Sequence, residues 1–126
     1  MRERPLSPHL QVYRWPLSMA LSILHRISGV ALSAGAILLV WWLMAVAAGG
    51  DHYARFVTCV SSPLGQVALF GWTLAVVYHL LSGLRHLLWD TGWGFERERA
   101  QMTGWLVVVG TVVLTAVVWL LARGGV

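Results

Sequence analysis

Two apolar stretches carry the residues able to do chemistry: His79, Gly83, Arg85, His86 and Asp90 on one, and Ser22, His25, Arg26, Ser28 and Gly29 on the other. Ionisable groups inside apolar runs are costly to bury and are seldom incidental. On a helix of 100° steps, Gly83 lies about 40°, His86 about −20° and Asp90 about 20° from His79, which makes one narrow stripe. Arg85 points elsewhere. Ser22, His25, Arg26 and Gly29 share one broad face of the other helix. His79 lies about 10 Å deeper than His86 along the helix axis. Gly83, one turn from His79, removes a side chain where a flat, bulky group would approach. A dry axial imidazole, room for a ring and cations at the polar edge together suit a haem with its propionates near the surface. The same spacing also admits a buried histidine bonded to a neighbouring helix, or a proton or ion path. Ser22, His25 and Arg26 offer a hydroxyl and charged donors that suit the carbonyl oxygens of a quinone. Snorkelling of Arg26 to phosphate headgroups and a plain helix contact for Ser22 are the competing readings.

These groups need long helices to hold them. Of the 126 residues, 58% are hydrophobic and 11% charged, against roughly 25% charged in a soluble domain. Windows 27–50, 56–84 and 100–122 contain no Asp, Glu, Lys or Arg. Each exceeds the ~20 apolar residues that cross the hydrocarbon. The fold class expected is an all-α membrane protein with three transmembrane helices, over about 17–48, 63–90 and 101–122, in a single membrane-anchor domain 1–126. A soluble catalytic domain within the chain is excluded. Residues 1–16, with Pro5, Pro8 and Pro16, read as an irregular cytoplasmic segment, and Pro16 suits a helix first turn. Gly49-Gly50-Asp51 ends the first helix, an outer loop reaches Ser61-Ser62-Pro63, and Thr91-Gly92-Trp93-Gly94 is a turn before a short charged stretch. The third helix has no ionisable residue and reads as packing against lipid or partner helices.

All nine basic residues are Arg. Arg2, Arg4 and Arg14 precede the first span and Arg97 and Arg99 lie between the second and third, whereas only Arg55 and Arg123 fall on the other side. The positive-inside rule then places the N-terminus in the cytoplasm and the C-terminus outside, and makes membrane orientation, not nucleic acid, the use of the basic charge. Trp15, Trp89, Trp93, Trp105 and Trp119 near span ends fit aromatic belts. Cys59 has no partner for an internal disulfide or a Cys metal site and reads as a small surface residue. His9 and His52 read as solvated, and Asp90 as a cap or a partner of Arg85 or His86. The N-terminus has no short apolar core with a cleavage site, so the first span reads as the insertion signal, while the lack of a transit peptide, with the Lys-free composition, points to a bacterial inner membrane.

Three segments carry a resemblance to a known family. Arg4-Pro5-Leu6-Ser7-Pro8-His9-Leu10, Ser22-Ile23-Leu24-His25-Arg26-Ile27-Ser28-Gly29 and the run HLLSGLRHLLWDTG from His79 to Gly92 resemble, in order, the motifs of the cytochrome b membrane-anchor subunits of succinate dehydrogenase. The resemblance spans nearly the whole chain and implies specific roles. His79 falls on the position of one axial ligand to the iron of haem b. His86, His25 and Arg26 fall near the haem propionates, and Ser22 and Arg26 at the ubiquinone site. It further implies a heteromeric helix bundle with a second three-helix anchor subunit, which supplies the other axial His. An iron–sulfur subunit and a flavoprotein subunit would dock on the cytoplasmic side. The succinate-oxidising site would then lie off this chain, whose end of the reaction is the reduction of quinone. A quinol:fumarate reductase anchor, a haem-free structural anchor and a small transporter subunit using His79 and Arg85 are the alternative readings.

Overall fold

The computed structural model describes Arg4 and residues 14–124. Its helices are α1 (Leu17–Ala48), α2 (Gly50–Ser61), α3 (Pro63–Asp90) and α4 (Arg97–Gly124), with no strand among the described residues. The chain is an all-α, multi-pass membrane protein: α1, α3 and α4 are each long and apolar enough to cross a bilayer. At 1.5 Å per residue α1 reaches about 48 Å, well beyond a hydrocarbon core of about 30 Å. Its first turns therefore extend toward the interface. Of the N-terminal segment expected to be irregular, Arg2, Pro5, Pro8 and His9 lie outside the described residues, as does the 4–10 motif apart from Arg4. Pro16 stands one residue ahead of the first turn, in an extended conformation, and its carbonyl accepts from the Met19 and Ala20 amides.

The segment expected as an outer loop is instead the helix α2. Tyr53, Phe56, Val57 and Val60 recur at helical spacing, and Asp51 sits in the first turn, where a carboxylate favours the helix dipole. Phe56 is buried and meets Trp41 of α1 edge-on, with centroids 5.0 Å apart. The interruption between α1 and α2 comes from Gly49 and Gly50, whose φ values of 63° and 51° lie in the left-handed region that favours glycine. Ser62 then caps α3 by accepting from the Gly65 amide at 3.1 Å, and Pro63 occupies the first turn. The last helix starts at Arg97, earlier than expected. The charged stretch 97–100 is helical, the Ala100 amide bonding to Glu96 O at 2.8 Å, because Glu98 is favourable in a first turn.

α3 runs antiparallel to both α1 and α4. Along α1, Ser28 meets His79 and Gly35 meets Trp72. Along α4, Thr103 meets Arg85 and Trp119 meets Phe70. Between the three helices sit Leu21, Tyr78 and Val107, flanked by Leu17, Leu81 and Val108. The Tyr78 hydroxyl donates to Leu21 O at 2.6 Å, which pins α3 to α1. Small residues permit these crossings: the Trp72 indole occupies the space a Gly35 side chain would take, and Leu17 and Leu21 lie over Gly104. The outer faces are apolar and open (Ile37 is 73% and Leu120 72% exposed), as suits lipid or partner helices rather than water.

Candidate functional site

The antiparallel pairing brings the start of α1, the end of α3 and the start of α4 to one end of the bundle. Three histidines from two helices gather there. The His25 and His79 rings stack at 4.1 Å between centroids, 11° from parallel, and the His86 ring lies 5.0 Å from that of His25. Stacked rings do not converge their nitrogens on one point, and no group of His, Cys, Asp or Glu able to chelate a bare metal ion occurs among the described residues.

Hydrogen bonds fix two of these rings. Ser28 Oγ donates to His25 O at 2.8 Å and lies 3.0 Å from His79 Nδ1. The hydroxyl has one hydrogen, committed to the carbonyl, so it accepts from His79 Nδ1–H. His79 makes no other side-chain hydrogen bond among the described residues, which leaves the Nε2 lone pair free. His86 Nδ1 donates to Ser82 O at 2.7 Å, so its Nε2 is also available. His25 Nδ1 is buried and has no partner among the described residues, an atom that a further group would satisfy. A side chain at Gly83 would meet nothing within 4 Å, whereas one at Gly29 would come 3.2 Å from His79 Cε1. Space is thus open beside Gly83 and closed behind the His79 ring.

Beside the histidines lies a cleft of about 590 Å³ lined by Ser22, Arg26, Arg85, His86 and Trp89, with Ser18, Met19 and Ile23. Arg26 is exposed, while Arg85 is 5% exposed. The Arg85 guanidinium donates from Nε to Thr103 Oγ1 at 3.1 Å and from Nη2 to Ala100 O at 2.9 Å, and lies 4.1 Å from the centroid of the Trp89 ring. The expected pairing of Asp90 with Arg85 or His86 is not formed: Arg85 reaches across to α4 and His86 turns to its own helix. The one ion pair among the described residues is Arg99 with Glu96 at 3.2 Å, exposed and not including Arg85 or His86. Arg85 therefore has no carboxylate partner among the described residues, in a cleft that also holds Arg26. Such a cleft suits an anionic or carbonyl-bearing ligand.

All the chemistry-bearing residues named from spacing on α1 and α3, apart from Asp90, meet at this end. Two contributions are not visible in the helical pattern. Ser28 reaches His79 only because α3 crosses α1 there, and Arg85, off the histidine stripe, still edges the cleft through its long side chain. At the opposite end, a groove of about 500 Å³ between α3 and α4 has only Gln66 and Arg123 as polar lining residues and no histidine.

The family profile described as succinate dehydrogenase/fumarate reductase transmembrane subunit matches residues 1–118. The chain is 49% identical over 111 residues to the succinate dehydrogenase cytochrome b556 subunit of Paracoccus denitrificans, covering 88% of this chain and 85% of that one. It is 41% identical over 117 residues to the cytochrome b556 subunit of Rickettsia felis, covering 93% and 91%. It is 43% identical over 108 residues to the mitochondrial cytochrome b560 subunit of Mus musculus, covering 84% of this chain and 64% of that one.

Proposed function

Because the chain belongs to the succinate dehydrogenase/fumarate reductase transmembrane subunit family, we propose that it anchors a succinate:quinone oxidoreductase in the membrane, shares a haem b with a companion anchor subunit and forms part of the ubiquinone site. The observation that carries this reading is the convergence, at one end of the bundle, of the cleft holding Ser22, Arg26 and His86 with the deeper His79. Relatives named cytochrome b subunits support the haem.

The residues fit such a group. His79 would hold the haem iron through its unengaged Nε2. His25, with its unpartnered Nδ1, and Arg26 and His86 would face the propionates. When bound, haem b supplies a one-electron redox centre near the quinone. Ser22 and Arg26 hold a quinone carbonyl by hydrogen bonds, and Arg26 stabilises the negative charge that builds on the oxygen during reduction. His25 exchanges protons with that pocket. Succinate is oxidised on the flavoprotein and iron–sulfur subunits, which dock at the histidine end. Arg14, Arg97 and Arg99 lie at that end and Arg55 and Arg123 at the other, which supports a cytoplasmic histidine end and a periplasmic C-terminus in a bacterial inner membrane.

The test is a dithionite-reduced-minus-oxidised spectrum of the purified complex, wild type beside His79→Ala. A b-type band lost or shifted in the variant is expected. A wild-type complex that reduces quinone yet has no such band would overturn the haem assignment and leave a bare anchor.

A further inference from the structure

We infer that Ser28 is a positioning residue for the haem ligand: its hydroxyl fixes the tautomer and ring plane of His79, so that Nε2 faces the iron with its lone pair free. The inference rests on the proposal that His79 is the axial ligand. It comes from a single relay between two helices. Ser28 Oγ donates to His25 O at 2.8 Å and accepts from His79 Nδ1–H at 3.0 Å. Ser28 is 6% exposed, so water does not compete for either bond. A neutral imidazole carries one ring hydrogen. Holding it at Nδ1 removes the tautomer in which Nε2 would be blocked.

The ring has few other restraints. His25 stacks on one face at 4.1 Å, and Gly29 faces Cε1, where an added Cβ would lie 3.2 Å away. Both limit tilting, but neither selects a nitrogen. The Ser28 hydroxyl is the one polar group among the described residues that does. A hydrogen bond accepted from the far ring nitrogen also raises the basicity of the ligating one. Greater basicity favours ferric over ferrous iron, so the hydroxyl lowers the reduction potential.

The experiment compares wild type, Ser28→Ala, Ser28→Thr and His79→Ala complexes by haem content, redox titration of the b-type band and low-temperature electron paramagnetic resonance of the oxidised haem. Ser28→Ala should weaken haem retention by about ten- to a hundredfold, the usual cost of losing an outer-sphere partner. It should also raise the midpoint potential of the haem that remains and shift its low-spin resonance. Ser28→Thr should restore all three, because a helical Thr hydroxyl also reaches the carbonyl of the preceding turn. If Ser28→Ala fails to assemble, Ser28→Cys, which keeps the volume with a poor acceptor, is read by the same criteria. A band that disappears in His79→Ala but is unchanged in content, potential and resonance in Ser28→Ala would overturn the role of Ser28 alone. A band that survives unshifted in His79→Ala would overturn the ligand assignment itself.

Discussion

The rings of His25 and His79 lie face to face, 4.1 Å between centroids and 11° from parallel, although they come from different helices. Two imidazoles in that arrangement cannot both direct a nitrogen at one iron. If His79 is the ligand, His25 is a neighbour and not a substitute. The His25→Ala complex should therefore keep its b-type band while its succinate–quinone activity falls. Loss of the band from an assembled His25→Ala complex, measured by difference spectroscopy, would reverse the roles of the two rings.

Arg26 is exposed and edges the cleft. Removing it costs little packing but takes a charged donor from the proposed quinone pocket. Arg26→Ala should lower quinone reduction by about a hundredfold, the scale of losing one preorganised donor. Succinate oxidation with an artificial acceptor should persist. Equal activity with both acceptors would remove Arg26 from the quinone site.

Arg85 plays a different part, because its guanidinium ties α3 to the first turns of α4 through Ala100 O and Thr103 Oγ1. Arg85→Met should destabilise the folded chain by about 1.5–3 kcal/mol, the range for hydrogen bonds to a charged group. Arg85→Lys should recover only part of this, since an ammonium does not reproduce the fork across two acceptors. Unfolding in mixed detergent micelles measures both. An unaltered Arg85→Met stability would mean that α3 and α4 hold together without this clamp.

Gly35 and Trp72 are coupled by shape. A methyl group at Gly35 overlaps the Trp72 indole, a rigid ring that cannot swing aside cheaply. Gly35→Ala should cost about 1–3 kcal/mol as an overpacked contact. In the Trp72→Leu background the added cost should largely vanish, because the overlapping ring atoms are gone. Additive losses in the double-mutant cycle would show that the two residues act independently.

Cys59 is exposed on α2, and the chain has no other cysteine. With the histidine end in the cytoplasm, α2 lies on the periplasmic side. A membrane-impermeant thiol reagent should label Cys59 in whole cells whose outer membrane has been permeabilised. Labelling seen only in inverted vesicles would invert the proposed topology.

Much of this architecture is legible in the residues. Long windows without charge mark the spans, and Ser62-Pro63 and Gly49-Gly50 mark the ends of α3 and α1 because they change local backbone preferences. α2 is harder to read. Asp51, His52 and Arg55 look like loop polarity until Tyr53, Phe56, Val57 and Val60 are recognised as one face. Helical arithmetic groups Ser22 with Arg26 and His79 with His86, since each pair shares a helix. It carries no information on how α1 and α3 are rotated against each other. That rotation decides that Ser28 meets His79, and the packing of α3 on α4, equally hidden, decides that Arg85 turns toward Thr103.

The one-sided placement of the titratable groups has an energetic consequence. Beyond Arg26 on α1, before His79 on α3 and between Gln101 and Ala122 on α4, the spans contain no Asp, Glu, His, Lys or Arg. No ladder of proton carriers continues through the chain to the far face. If quinone is reduced at the histidine end, this chain offers the protons it takes up a route only from the aqueous phase on that same side. Turnover through this subunit then performs no electrical work against the membrane potential, and the free energy of the reaction leaves with the reduced quinone as a lipid-soluble carrier.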